Sequence, residues 1–300
     1  MPIHPSRRRT ALLAVLLTAP LAGCSLFPKH EEVWEPVAPA IGERRITGTD
    51  TSYVVEGRGY QLVSPSRQIL ADVQPVADNA SFRYRRYFGA DPATLVARLV
   101  PARDIEDTTS VDTLPHPADT TGLTIRVRAR SRDIRYANVS PQMVAQPLAR
   151  RWLAARAAAQ GGGTGMPGWV QVGMTEFVAA TPLSEYLVST LARDMKRAVP
   201  LAEFLSAPAP EYGESVRGTE AQRPMAPGSR RRLEGYALFA AQSIALLRFI
   251  EEREGTPFVT ALYDRTARGE TAAAVLAEAQ KLPKDPAALD AAWREWMKRS

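Results

Sequence analysis

The chain changes character near residue 140, and that change limits the fold more than any single motif. Before it, Tyr53-Val54-Val55, Tyr60-Gln61-Leu62-Val63 and Thr94 to Val100 read as short strands, and Leu123-Thr124-Ile125-Arg126-Val127-Arg128-Ala129-Arg130 alternates apolar with polar as a half-buried strand does. After it, apolar residues recur at steps of three and four. Leu233, Tyr236, Ala240, Ile244, Leu247 and Ile250 make the clearest stripe of this kind. Strands followed by a long helical run predict an α+β fold: a small mixed sheet lobe with one helix, then a mostly helical lobe.

The expected elements follow from local signals. Arg67 to Phe88 reads as mainly helical, with a break at Pro75. Residues 101–120 are acidic, threonine-rich and proline-containing, so a loop is expected there, and residues 207–229 read as a second long surface loop. Helices are expected near 147–159, 167–180, 185–197, 256–268 and 271–280, with a short turn after Pro200. The last helix begins at Asp285, a good N-cap, with Pro286 in its first turn. It places Leu289, Trp293, Trp296 and Met297 on one side as expected core anchors. The row Thr124, Arg126, Arg128 and Arg130 reads as a solvated strand face.

The amino terminus carries an address. Arg7, Arg8 and Arg9 precede an apolar run from Ala11 to Ala22, which is too short for a membrane span of roughly 20 residues. The run ends in Leu21-Ala22-Gly23-Cys24, which resembles the lipobox of bacterial lipoproteins. That resemblance implies cleavage before Cys24, a diacylglycerol on its thiol, and membrane lipid as a partner. Ser25, a non-acidic residue after the cysteine, implies sorting to the periplasmic face of the outer membrane. Acyl chains contribute about 0.8 kcal/mol per buried methylene, so the two or three borne by lipoproteins hold firmly.

Cys24 is the only cysteine, so the exported chain has no disulfide and its core must come from burial alone. About 275 mature residues suffice for that. Removal of the three head arginines lowers the formal charge from +6 to +3, which gives no argument for nucleic-acid binding. The expected organisation is a signal peptide at 1–23, a tether at 24–48, a strand-rich lobe at 49–139 and a helical lobe at 140–300.

The order of segments in the second half carries a further resemblance. A helix and a glycine loop lead to Met166-Pro167-Gly168-Trp169-Val170-Gln171-Val172-Gly173-Met174-Thr175-Glu176-Phe177. Downstream come Tyr236, Ala241-Gln242-Ser243, Gly255 before an apolar helix, and Trp293-x-x-Trp296. Over about residues 50–300 this order resembles the exported gluzincin-like, or peptidase MA-like, metallopeptidases. In that family a helix carries H-E-x-x-H, and a later segment like L-P-x-W-L-x-E-G-L-A-E-Y supplies the third zinc ligand.

The resemblance places Gln146 and Arg150 where the two histidines belong, Pro147 where the catalytic glutamate belongs, and Val172 where the third ligand belongs. An amide is a poor zinc ligand, a guanidinium repels the ion and an isopropyl group has no lone pair. Pro147 fits best as the first residue of a helix capped by Gln146, so that helix is expected to start late. The chain has three histidines, His4, His30 and His116, and none follows residue 116. No histidine pair is therefore available to the helical half. No metal or other cofactor is expected, and the resemblance implies a degenerate peptidase.

Other chemistries are weakly supported. There is no G-x-S-x-G, and the glycines from Gly161 to Gly165 follow a helix without G-K-[ST]. Glu176 and Glu185 could form a carboxylate pair facing a cleft. The simpler expectation is surface acids or a cap, with Glu176 keeping a structural role beside Trp169 and Phe177. Trp169 and Glu176 mark the expected cleft. The leading expectation is a scaffolding or binding lipoprotein that holds an envelope protein or an extended peptide added as a strand. The alternatives are a carboxylate-based hydrolase and a purely structural envelope component.

Overall fold

The computed structural model describes residues 42–45, 51–101, 122–127, 140–162, 165–209 and 235–299. The signal segment, Cys24, Leu233, Arg128, Arg130, most of the expected tether and most of the two expected loops lie outside them, as do His30 and His116.

Among the described residues, five strands form one mixed sheet in the order β1-β2-β3-β4-β5. They are β1 (Gly42–Arg45), β2 (Thr51–Gly57), β3 (Tyr60–Ser64), β4 (Leu95–Pro101) and β5 (Gly122–Val127). The first three pair antiparallel, and β4 and β5 add in parallel. β1 falls inside the segment expected to be tether, because it pairs along β2 from Gly42 opposite Val54 to Arg45 opposite Thr51.

The β2–β3 hairpin closes through Arg58 and Gly59, with Gly59 at φ +78°. A Cβ there would lie 2.2 Å from Cγ of Pro92, so only glycine fits. The Gly59 carbonyl accepts from the Leu95 amide at 3.0 Å and from Nε1 of Trp152 at 2.9 Å. One turn residue thus joins the hairpin, β4 and the helical half.

Helix α1 (Arg67–Phe88) provides the crossover between parallel β3 and β4. Ser66 caps it by accepting from the Ile69 amide, and Gly89 closes it in the left-handed conformation. Pro75 does not break it. The face bearing Leu70, Val73, Ala77, Ala80 and Tyr84 is buried, and that burial outweighs one lost backbone bond.

The helical half begins with α2 (Ser140–Ala159), α3 (Gly168–Ala179) and α4 (Pro182–Arg193). A single turn, α5 (Leu201–Phe204), follows, then α6 (Gly235–Glu254), α7 (Thr256–Ala267), α8 (Ala272–Ala277) and α9 (Pro286–Arg299). Helix α2 starts seven residues before the expected Pro147 and carries that proline inside it. Val144, Ala145, Leu148 and Ala149 around Pro147 are fully buried. As at Pro75, packing overrides the local penalty.

Helix α6 departs from its expected stripe. Ile244, Ala245, Leu246 and Leu247 are all fully buried, so the helix is enclosed on every side. Its second face is built of alanine and small polar residues that admit neighbouring backbone. A Cβ on Gly173 of α3 would lie 2.5 Å from Cδ1 of Leu247 and 3.1 Å from the Ser243 carbonyl. The buried Gln242 amide is satisfied by both backbone groups of Val199 at 2.6 and 3.0 Å.

The expected start of α9 is observed, with Asp285 accepting from the Ala288 amide at 2.8 Å. Leu289, Trp293, Trp296 and Met297 are buried as core anchors. One apolar cluster runs from Val55 and Leu62 in the sheet to Met297 in α9, so the strand-rich and helical segments share a core. The fold is α+β. No helix among the described residues is long and apolar enough to cross a membrane.

Candidate functional site

Helices α2, α3 and α4 bring several of the singled-out residues together. Gln146 on α2 donates from Nε2 to Oε1 of Glu176 on α3 at 2.6 Å. Ser184 on α4 donates to the other carboxylate oxygen, Oε2, at 2.8 Å. The Ser184 hydroxyl also lies 3.2 Å from that of Thr181. Glu176 is 2% exposed, so it is neither a surface acid nor a cap. Burial raises its pKa above the usual 4.5, while the bonds from Gln146 and Ser184 and the charge of Arg150 oppose that rise.

The other aligned residues are placed differently. Val172 lies one turn before Glu176 on the same face of α3 and is buried in the core. Pro147 is buried within α2. Trp169, expected at the cleft, is fully buried, and its indole N–H has no hydrogen-bond partner among the described residues. It does not line the recess described next. Among the described residues, no three of His, Cys, Asp and Glu cluster as a metal site would require.

A recess of about 210 Å³ opens beside Glu176. Helix α1 lines it with Asn79, Arg83 and Tyr87, which fall on one helical face at steps of four. The end of α3 contributes Glu176, Phe177 and Ala180, α4 contributes Ser184 and Glu185, and α6 contributes Arg248 and Glu251. The expected Glu176 and Glu185 therefore do face one space.

Their charges are unequal. Both oxygens of Glu185 are held by the guanidinium of Arg248, one of them at 3.0 Å. Glu251 accepts from the Tyr87 hydroxyl at 3.2 Å and from the Thr256 hydroxyl at 2.9 Å. Burial, and then the Glu251 charge, push the Tyr87 hydroxyl above its ordinary pKa. Arg83 donates from Nε to the Phe177 carbonyl at 2.7 Å, at the carbonyl end of α3.

The recess wall also holds backbone strain. Ala180 ends α3 at φ 46°, ψ 50°, the only left-handed non-glycine among the described residues. Its amide donates to the Glu176 carbonyl at 2.8 Å. That conformation costs an alanine about 1–2 kcal/mol and suits glycine better.

Sequence reading named Glu176 and Glu185 but not Asn79, Arg83, Tyr87, Arg248 or Glu251. The four-residue spacing of Asn79, Arg83 and Tyr87 was visible, but helical spacing says nothing of which helix lies opposite. Comparison with protein-family models, curated proteins and solved structures finds no significant match.

Proposed function

We propose that this chain is a lipid-anchored envelope protein with a degenerate gluzincin-like domain that holds a peptide or protein segment without cutting it. The supporting observation is the bond between Gln146 and Glu176. In the aligned family the Gln146 position carries a zinc ligand. Here its amide donates to an acid whose other oxygen is also engaged. Burial raises the pKa of this acid, which works against the deprotonated form that a metal ligand needs. The adjoining recess stays open for a ligand.

The test uses purified full-length protein supplied with zinc. The expected result is metal at well under one ion per chain, no cleavage of casein, and capture of short peptides measured by fluorescence anisotropy. Stoichiometric zinc with chelator-sensitive casein cleavage would overturn the reading. Lipid anchoring is tested separately: replacing Cys24 by alanine should release the protein from membranes.

A carboxylate-based hydrolase is the second reading, favoured by the raised pKa of Glu176 in the recess. It is the weaker one. Its partner acid Glu185 is held on both oxygens by Arg248 and is not free to act as a base.

A further inference from the structure

We infer that the recess binds a small dipolar ligand of the α-amino-acid class, with its carboxylate toward Arg83 and Asn79 and its ammonium toward Glu251. This goes beyond the holding function proposed above and assigns the recess a small-molecule ligand of its own. The argument starts from three lining groups whose capacity the protein leaves unfilled.

Arg83 uses Nε on the Phe177 carbonyl. Among the described residues, neither of its terminal amino groups has a hydrogen-bond partner, and no carboxylate pairs with it. The Nε bond fixes the guanidinium before any ligand arrives, which lowers the ordering cost of binding. Asn79 lies one turn earlier on α1, lines the same recess, and its amide has no partner among the described residues. Together they offer donors suited to a carboxylate.

Glu251 supplies the opposite pole. Its hydrogen bonds come from two neutral hydroxyls, of Tyr87 and Thr256. Among the described residues no Lys or Arg pairs with it. Arg83 and Glu251 thus line one recess without pairing with each other. Arg248 and Glu185 neutralise each other, and the two oxygens of Glu176 are taken by Gln146 and Ser184. A purely anionic ligand would leave Glu251 facing it, and a purely cationic one would leave Arg83. A ligand carrying both charges complements both.

Size agrees. Sites for drug-sized molecules run about 300–1,000 Å³, so a recess of about 210 Å³ suits a single residue.

The experiment is calorimetric titration of the purified full-length protein with L-leucine, N-acetyl-L-leucine and L-leucinamide. Leucine should bind about tenfold or more tightly than either capped form, since each cap removes one charge-assisted contact. Glu251→Gln should bring leucine and N-acetyl-leucine to equal affinity while still accepting from Tyr87 and Thr256. Arg83→Gln should narrow the gap between leucine and leucinamide while Glu251→Gln leaves that gap in place. Asn79→Ala leaves the Phe177 anchor in place and should weaken leucine and N-acetyl-leucine but not leucinamide. Circular-dichroism melts confirm that each variant folds. Equal binding of leucine and both capped forms overturns the inference, as does no binding of leucine. If leucine fails while short peptides are still captured, the inference falls and the holding function stands. If neither binds, both fall.

Discussion

Gln146 of α2 and Glu176 of α3, thirty residues apart in the chain, are joined by a 2.6 Å hydrogen bond in the interior of the helical half. The bond lies at the junction of α2, α3 and α4, where Ser184 completes the shell around the acid. Its geometry makes Glu176 a buried acid whose two oxygens each accept from a neutral donor. The pH behaviour of the fold follows from that.

The pKa of Glu176 is raised in the folded state above the usual 4.5. The native form therefore holds its proton more tightly than the unfolded chain. This group's contribution to stability is full below about pH 4.5 and is lost as pH rises through the folded-state value. Glu176→Gln keeps an acceptor for Gln146 and can donate to Ser184, but it cannot ionise. Urea melts across pH 4–9 should show a wild-type-minus-variant difference that turns against the wild type as pH increases. A difference independent of pH would contradict the assignment.

Ala180→Gly should stabilise the protein by about 1 kcal/mol, because the left-handed conformation at φ 46° costs glycine no Cβ clash. The same change removes a methyl from the recess wall. The midpoint of chemical denaturation should rise. An unchanged or lower midpoint would mean that the methyl packs well enough to offset the backbone cost.

Gly59→Ala should destabilise by about 2–4 kcal/mol, combining overpacking with a positive φ. Its Cβ would meet Pro92 at 2.2 Å, and the carbonyl that anchors Leu95 and Trp152 would have to move. Hydrogen exchange should report loss of protection in β3 and β4 together with α2. Loss confined to the hairpin would argue against the shared anchor.

Asp264→Ala should cost about 2–4 kcal/mol. Arg156 holds both Asp264 oxygens at 2.7 Å with both side chains largely buried, and its guanidinium lies 4.2 Å from the ring centre of Phe88. Removing the acid strands a cation between α1, α2 and α7. Asp264→Ala together with Arg156→Met should recover a substantial part of the loss. A double variant no more stable than Asp264→Ala alone would place the cost elsewhere.

Much of the architecture was legible from local chemistry. Asp285-Pro286 announces α9, and the helical reading of Arg67 to Phe88 matches α1. The strand reading of Tyr60 to Val63 matches β3, with Tyr60, Leu62 and Val63 buried. Pro75 and Pro147 misled because the cost of a proline inside a helix is local, whereas the burial that offsets it comes from distant segments. The stripe on α6 was real but incomplete. Its alanine and small polar face reads as solvent-facing until Gly173 is seen packed against it.

By itself the sequence determined the division into a strand-rich first half and a helical second half, and the want of histidine after residue 116. Those are properties of composition and spacing, which no tertiary contact can alter. The tertiary structure alone decided that Glu176 is buried and meets Gln146, and that Asn79, Arg83 and Glu251 line one recess. Side chains on different helices acquire a common environment only when the helices pack. Burial and the pairing of charges, which set what a polar group can do, belong to that packing.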